Sequence, residues 1–517
     1  MSKARVATKF ACDAGFEVVD ALARVRYPGA LHGPVEGRAD EIYLDTRTDA
    51  LAAAGLCARV REHGGVRTVA LVVVPIDPDV LPRTPILERA VPRGDDVGDM
   101  VRAWVRERFG LQLTEPPREV LSLVIARRRW AYAGADGPVD IVVDDIAASE
   151  PHGRRAQLIE LTIEHDGGGA KVVAALRRAA GVGEPKRPLF ARARETLGLG
   201  EHRYGSKPAP LQPDELLVDG ARRVLGAWWA NALAHAPGVR VGLDPEHVHK
   251  MRVALRRLRT ALRLFDDAFD AQALASLRDG VRTLGRALGE VRDLDVQHDS
   301  LSRWRKRFRT IPAAAWADIA DRIDRRRTAA RRRALAQLEG AALARFDADV
   351  ELCVAPDDRG LRHTVGAVAA SLIHKRVHRC TRALDRVTEG GADEAHALRI
   401  DVKNLRYSLD FLGDALPGGI HGISSRLAAL QEELGKVQDD VQTAELAGLL
   451  ATMAPPPASS SAHALGVLVG YGRARAELAP MIALGAVRDH DFVSALAALE
   501  AMATGDGNAE RPRSRRR

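Results

Sequence analysis

The chain has 517 residues, more than one compact core accommodates, so we expect two or more domains. A hydrophobic content of 46% is that of a globular protein, and a net charge of +8 favours an anionic partner, with solubility alone as the alternative. Aromatic residues make up only 4%, which argues against the stacking platforms of proteins that bind single-stranded nucleic acid.

The cysteines and the apolar runs indicate the compartment. The four cysteines lack metal-ligand spacing and are too few for a disulfide scaffold, which fits a reducing cytoplasm. The N-terminus lacks the apolar core of a signal peptide, and no apolar run reaches membrane-spanning length. We therefore expect a cytoplasmic protein without a membrane partner.

Residues 1 to about 200 are predicted to be rich in β-strand. Segment 55–75, GLCARVREHGGVRTVALVVVP, contains two extended runs around His63, Gly64 and Gly65, the pattern of a β-hairpin. GPVDIVVDDIAAS (137–149) and RRAQLIELTIEH (154–165) are further predicted strands. EHRYGSKPAPLQP (201–213) is rich in proline, glycine and polar residues and is predicted to be a linker.

The rest of the chain, from Asp214 to about Met502, has helical periodicity. The segment APPPASSSA (454–462) is predicted to be a loop within it. Residues 506–517, ending in RPRSRRR, form a basic tail that we expect to be disordered, either as a solubilising end or as a binding segment.

An internal repeat is the most informative feature of the helical part. HKMRVALRRLR (249–259) returns as HALRIDVKNLR (396–406), and LGEVRD (288–293) returns as LGKVQD (434–439). Two landmarks that recur in the same order indicate a duplicated helical unit. We expect two similar halves, about 214–350 and 360–505, related by a pseudo-two-fold axis.

Each copy of the repeat carries a stripe of basic residues. The spacing of three and four residues places them on one face of a helix: His249, Arg252, Arg256, Arg259 and Arg263 in the first copy, and His396, Arg399, Lys403 and Arg406 in the second. An apolar stripe lies about 100° away and should pack into the bundle. The cations are therefore predicted to stand at the edge of the core.

An anion explains such a stripe better than solvent does. Acidic residues that could pair with it along the helix are nearly absent from the first copy, so the cations repel one another unless a polyanion joins them. Arginine suits this role because its planar fork binds phosphate oxygens in bidentate fashion. The alternative is a solvated flank whose side-chain stems cover apolar surface.

These motifs resemble the CHAD family of α-helical domains over about 214–502. The pattern is HxxRVxxRRLR with LGxxRDxDV, then HxLRxxxKxLRY with LQxxLGxxxD. The resemblance implies a duplicated helical bundle that binds inorganic polyphosphate in a basic groove, without a cofactor and in the cytoplasm, where polyphosphate granules are a further expected location. The implied binding residues are His249, Arg252, Arg256, Arg257, Arg259, His396, Arg399, Lys403 and Arg406.

The N-terminal part carries charged residues at alternating positions of its predicted strands. Arg59 and Arg61 share one strand face, and Glu160 and Glu164 share another. Triphosphate chemistry needs cations for phosphate oxygens and carboxylates for a divalent metal, although such alternation is also usual on the wet side of a sheet.

The ordered set IYLDTRTDALAAAGLCARVRE, ILER, VDIVVDDI, LIELTIEH and KRPLFARARETLGL resembles the CYTH family, the triphosphate tunnel fold, over about 1–200. The resemblance implies an eight-stranded antiparallel β-barrel with Mg²⁺ or Mn²⁺ that hydrolyses or cyclises triphosphates. The implied phosphate-binding residues are Lys9, Arg59, Arg61, Arg129 and Lys186, and the implied metal ligands are Glu88, Asp144, Glu160 and Glu164.

The chain departs from that family at several ligand positions. Arg5 and Ala7 replace two glutamates, Val72 stands near the expected lysine, and Thr162 replaces the middle carboxylate of a strand. Weakened metal binding should impair or abolish catalysis. We therefore predict an α+β multidomain protein, a degenerate barrel followed by an all-α bundle, that binds polyphosphate. The alternative is a metal-dependent inorganic triphosphatase, and nucleic acid is a less favoured partner.

Overall fold

The structure is a computed structural model. It describes residues 6–24, 29–76, 85–134, 137–165, 170–178, 182–183, 189–199, 205, 207–269, 271–354, 363–416, 420, 422–453 and 456–504. The predicted basic tail, Arg5 and Lys186 lie outside the described residues. Within the described residues, no helix is long and apolar enough to cross a membrane.

The described residues form two compact units. The first comprises Met1–Tyr204 and Ala234–His247, and the second comprises Gly205–Leu233 and Val248–Arg517. The first unit therefore includes a short segment from the predicted helical region as well as the β-rich part.

One antiparallel sheet of nine strands dominates the first unit, in the order β5-β4-β3-β2-β6-β7-β8-β1-β9. The strands are β1 (Val6–Cys12), β2 (Gly29–Asp45), β3 (Leu56–His63), β4 (Val66–Val73), β5 (Leu87–Ala90), β6 (Arg118–Gly134), β7 (Gly137–Ser149), β8 (Arg155–His165) and β9 (Val182–Gly183). The predicted strands at 137–149 and 154–165 are confirmed as β7 and β8.

The hairpin predicted from the sequence is confirmed. His63 pairs with Val66, so Gly64 and Gly65 alone form the turn between β3 and β4. Both glycines have positive φ angles, 57° and 78°. A two-residue hairpin of this kind needs the left-handed conformation at both positions, which glycine adopts without steric cost.

The closed eight-stranded barrel implied by the family resemblance is not seen. Among the described residues, β5 pairs only with β4 and β9 only with β1, so the sheet has two edges. β5 has four residues and β9 has two. Such short edge strands offer few ladder hydrogen bonds with which to close a barrel.

Short helices cover the sheet: α1 (Val18–Arg24), α2 (Ala50–Ala53), α3 (Val97–Phe109), α4 (Ala170–Arg177), α5 (Leu189–Thr196) and, from the later segment, α7 (Ala236–Val241). One sheet face packs Phe10, Ile141 and Leu161 against α1 and α4. On the other face, Phe190 of α5 covers Leu121 and Ile146 at one end. The remainder of that second face carries charged side chains.

The second unit is helical. Its helices are α6 (Leu217–Ala234), α8 (Glu246–Leu264), α9 (Ala271–Arg307), α10 (Ala313–Gln337), α11 (Gly340–Val354), α12 (Val365–Glu389), α13 (Ala392–Leu412), α14 (Ile423–Ala451), α15 (Ser459–Glu477), α16 (Ala479–Asp489) and α17 (Phe492–Thr504). α15 begins at Ser459, inside the segment predicted to be a loop, because the serines extend the helix once the prolines have ended.

The duplication predicted from the sequence appears in the helix packing. α9 packs on α10 as α14 packs on α15, and α10 also packs on α15 across the halves. Thr443 donates a hydrogen bond of 3.1 Å to the buried Gln297 side chain. These two residues occupy equivalent positions of the repeat, and contact between equivalent residues is what a two-fold axis produces.

Candidate anion-binding sites

The apolar stripe of α8 is buried, as predicted. Val248, Met251, Leu255, Leu258, Leu262 and Phe265 are each at most 3% exposed. In α13, Leu398, Val402, Leu405 and Leu409 are at most 1% exposed. This burial fixes the rotation of both helices, so the neighbouring basic stripes stand at the rim of the core.

Arg252 and Arg399 occupy equivalent surroundings in the two halves. Arg252 donates to Asp293 at 2.7 Å and to the carbonyl oxygen of Gly289 at 3.1 Å. A Cβ atom on Gly289 would lie 3.7 Å from the Arg252 guanidinium carbon, and one on Gly435 would lie 3.9 Å from Nε of Arg399. Each guanidinium group thus lies across a glycine of the adjacent long helix.

The basic residues of the two copies lie close enough to repel each other. Burial, and then the positive charges of Arg256, Arg399, Arg259 and Arg252, lower the pKa of Lys403 from 10.5 to about 7. Burial and the charges of Arg256 and Arg252 also lower the pKa of Arg399, although Asp439 opposes the change. Cations of α8 and α13 therefore share one electrostatic environment.

The Tyr407 ring lies next to three of the arginines. The ring, 1% exposed, has the guanidinium carbons of Arg256, Arg406 and Arg257 at 5.5, 5.1 and 4.8 Å from its centroid. Cation–π attraction offsets part of the repulsion between the cations and holds the side chains of two helices on one aromatic surface.

Arg257 differs from the other predicted binding residues. It forms an ion pair with Asp410 at 2.9 Å and stacks on Trp228 as well as on Tyr407. Its charge is already neutralised inside the bundle, so its contacts are those of a residue that joins α8 to α13 and α6.

Three of the arginines have buried nitrogen atoms without partners. Nε of Arg256, Arg399 and Arg406 is inaccessible to water and makes no hydrogen bond with any described residue. A buried donor without an acceptor costs free energy, about 1–3 kcal/mol. Three N–H donors of the basic stripes therefore lack an acceptor among the described residues.

The two histidines of the repeat, His249 and His396, have different surroundings. Burial, with the charges of Arg292, Lys250, Arg256 and Arg252, lowers the pKa of His249 to about 4, so this side chain is neutral at pH 7. Nδ1 of His396 lies 2.5 Å from the side-chain oxygen of Gln438. His396 is thus held by a side-chain contact with α14, whereas His249 is buried among cations.

A cavity of about 510 Å³ adjoins the basic residues. Arg252 and Arg259 of α8, Arg286 of α9 and Arg326 of α10 line it, together with residues of α14. We call this space and the basic stripes beside it the groove. It is formed by helices of both halves.

The outer arginines are more fully paired. Arg333 and Arg326 both contact Glu290, and Arg327 pairs with the buried Asp295. Three arginines of the segment 325–333 are therefore paired with carboxylates of α9.

The charged sheet face gathers the residues predicted in the first unit. Directly paired residues project to the same side of a sheet. The pairing places together Lys9, Arg59, Arg61, Glu88, Arg129, Asp144, Glu160 and Glu164, with Ala7, Val72 and Thr162 among them.

Cations already neutralise the carboxylates of that face. Glu160 contacts Lys9 at 2.5 Å and Arg192 at 3.0 Å. Asp144 accepts two hydrogen bonds of 2.7 Å from Arg127, and these raise the arginine pKa.

The remaining predicted ligands of that face do not offer an open carboxylate cluster either. Glu164 contacts Arg129 at 3.4 Å, whereas Glu88 is exposed on the edge strand β5. Among the described residues of this face, no three carboxylates converge closely enough to surround one Mg²⁺ or Mn²⁺ ion, which prefers several oxygen ligands.

Three residues of this face were not predicted. Glu41 is 2% exposed and pairs with Arg61 and Arg59, Arg127 pairs with Asp144, and Arg192 pairs with Glu160. Glu41 lies on β2 directly before the segment IYLDTR, and Arg192 lies on α5. Their partners are 17 to 32 residues away in sequence, so local spacing gave no signal.

Comparison with known proteins adds a family match for the helical unit. The CHAD domain family matches residues 223–448. The CHAD domain of Ricinus communis is 27% identical and covers 58% of this chain and 98% of its own, with a TM-score of 0.45. PptA from Streptomyces chartreusis is 18% identical and covers 53% of this chain and 98% of its own, with a TM-score of 0.42.

Another similar structure is that of the Hippeastrum protein HpAC1, described as having a dominant triphosphatase activity. It is 12% identical and covers 37% of this chain and 95% of its own, with a TM-score of 0.25. No curated protein matches the chain. The repeated basic motifs, their equivalent surroundings in two halves and the family match agree, and residues 223–448 of this chain form a CHAD domain.

Proposed function

We propose that this protein binds inorganic polyphosphate in the groove between the basic stripes of α8 and α13. The main supporting observation is that burial, together with the positive charges of Arg252 and Arg256 of α8, lowers the pKa of Lys403 and of Arg399 of α13, so cations from both halves lie close together. CHAD domains are linked to polyphosphate binding in general, and the resemblance implied these residues together with Arg257.

The chemistry of the groove suits a chain of phosphates. Bound phosphate oxygens would accept hydrogen bonds from the guanidinium groups of Arg256, Arg399 and Arg406, whose Nε atoms have no partner among the described residues. They would also relieve the mutual repulsion of the cations, and the polyanion would release its counterions. The proposed binding set is Arg252, Arg256, Arg259, Arg399, Lys403 and Arg406, with His249 and His396 beside it.

The alternative, a metal-dependent triphosphatase in the first unit, has less support. The carboxylates implied as metal ligands are paired with arginine or lysine, except for the exposed Glu88. We propose that catalysis in this unit is impaired and that triphosphate, if bound there, is held by the cations alone.

Removing two groove cations tests the proposed function. We expect Arg256→Gln with Arg399→Gln to weaken polyphosphate binding at least about 100-fold, because each charge-assisted hydrogen bond is worth about 1.5–3 kcal/mol. A fluorescence anisotropy isotherm with labelled polyphosphate measures the affinity. The slope of log affinity against log salt should fall by roughly 1.4 to 1.8 for two lost phosphate contacts.

The matched control removes the same charge elsewhere. Arg305→Gln with Lys306→Gln changes two exposed cations at the end of α9 and should alter affinity only slightly. Circular dichroism establishes that both variants are folded. Equal losses in the two double variants would mean that diffuse positive charge, and not the groove, binds the polymer. Displacement of polyphosphate by duplex DNA at equal charge would favour a nucleic-acid partner instead.

A further inference from the structure

A cluster of metal-ligand side chains lies outside the groove. His374 and His378 are one helical turn apart on α12, and Glu500 is on α17, which packs against α12. One donor atom from each of the three residues lies within 4.8 Å of the other two. None of these residues belongs to the repeated motifs or to the charged sheet face.

The contacts converge on one point. Nδ1 of His374 lies 2.7 Å from Oε1 of Glu500, and Nε2 of His378 lies 3.8 Å from the same oxygen. The two imidazole rings meet edge to face with their centroids 4.4 Å apart. Three potential ligands of two chemical types therefore surround one small space.

Hydrogen bonding does not account for this arrangement. Nδ1 of His374 and Oε2 of Glu500 are inaccessible to water and have no hydrogen-bond partner among the described residues. The short contact between His374 and Glu500 thus lacks the direction of a hydrogen bond. A cation between the buried nitrogen and the buried carboxylate oxygen would stabilise both atoms.

The donor set indicates the class of metal. Two imidazole nitrogens and one carboxylate oxygen suit zinc and similar borderline cations, whereas Mg²⁺ and Ca²⁺ prefer oxygen ligands alone. Two histidines four residues apart on one helix are a recurring zinc-binding arrangement. Zinc lies about 2.0–2.2 Å from such ligands, so modest side-chain rotation must bring the widest pair of donors together.

We propose that His374, His378 and Glu500 bind a Zn²⁺ ion that links α17 to α12. The side chains of the three residues are 39%, 57% and 33% exposed, so the ion is reached from solvent and a water completes its coordination. Glu500 follows His378 by more than a hundred residues, and the ion therefore joins two helices, α12 and α17, that are far apart in sequence within the second half.

Zinc titration of the full chain tests this site. Untagged protein, freed of metal with a chelator, is titrated with Zn²⁺ and, in parallel, with Mg²⁺ by isothermal calorimetry. We expect one zinc equivalent that Mg²⁺ does not replace. His378→Ala and Glu500→Gln should each weaken it at least about 100-fold, since even outer-shell changes at metal sites cost 10–100-fold.

The control is His463→Ala, which removes an exposed histidine from α15 and should leave the zinc equivalent intact. X-ray absorption should show two imidazole ligands in the zinc-loaded wild type and one in His378→Ala. Zinc should also raise the melting temperature of the wild type and not that of Glu500→Gln. Unchanged zinc binding in both ligand variants, with circular dichroism showing native helix content, would overturn the proposal and leave a plain contact between α12 and α17.

Discussion

At the scale of single residues, Lys403 is the most informative group in the groove. Burial and the positive charges of four arginines lower the pKa of its ammonium group to about 7. The sequence identified this residue as the counterpart of Arg256 in the repeat, but nothing in the local sequence indicated that its charge would be lost near neutral pH. That property arises because α8 and α13 bring their cations together.

The lowered pKa of Lys403 predicts a pH dependence of binding. Because bound phosphate favours the protonated amine, polyphosphate affinity should fall as pH rises through about 7, with proton uptake on binding above that pH. Lys403→Arg keeps its charge and should remove this decline. Affinity measured from pH 6 to 9 at constant ionic strength gives the comparison, and identical pH profiles in the two proteins would contradict the assignment.

Lys403 should also make the stability of the folded protein depend on pH. Its pKa is lower in the folded protein than in the unfolded chain, so the unfolded state binds more protons above about pH 7. The ligand-free protein should therefore gain stability from this residue as pH rises from about 7 towards 10.5, the opposite of the trend in affinity.

At the scale of elements, α8 and α13 are joined by Tyr407. The amphipathic pattern of each helix was predicted from the sequence, and burial of the apolar stripes confirms it. The arginines that meet on the tyrosine ring come from both helices, so their arrangement depends on helix packing.

Replacing the ring tests this packing. Tyr407→Leu should lower the free energy of unfolding by about 3 kcal/mol, because a large buried side chain is truncated and cation–π contacts are lost. Tyr407→Phe keeps the ring and should cost less than about 1.5 kcal/mol. Urea unfolding measures both values. Polyphosphate affinity should drop in the leucine variant only, and equal affinity in both variants would show that the ring does not position the arginines.

At the scale of the whole molecule, the two units differ in how fully their cations are paired with carboxylates. The sheet pairs its cations with buried carboxylates, whereas the groove leaves cations without enough acids. The net charge of +8 is therefore less informative than its distribution.

This difference predicts the outcome of a phosphatase assay. The full chain with tripolyphosphate and Mn²⁺ or Mg²⁺ should release phosphate no faster than Glu160→Gln does, because Glu160 is already paired with Lys9 and Arg192. Phosphate release is measured with a colorimetric assay. Clear turnover by the wild type that the substitution abolishes would support the triphosphatase alternative.

The sequence by itself determined the helices of the repeat, the hairpin at Gly64 and Gly65, the strands β7 and β8, and the chemical type of the groove residues. Each of these depends on periodicity or turn chemistry within a few neighbouring residues. Only the tertiary structure decided that the two basic stripes meet, that Arg257 is paired with Asp410, and that Arg127 and Arg192 neutralise carboxylates of the sheet. It also brought Glu500 to His374, because contacts between residues far apart in sequence follow from packing, which local patterns do not encode.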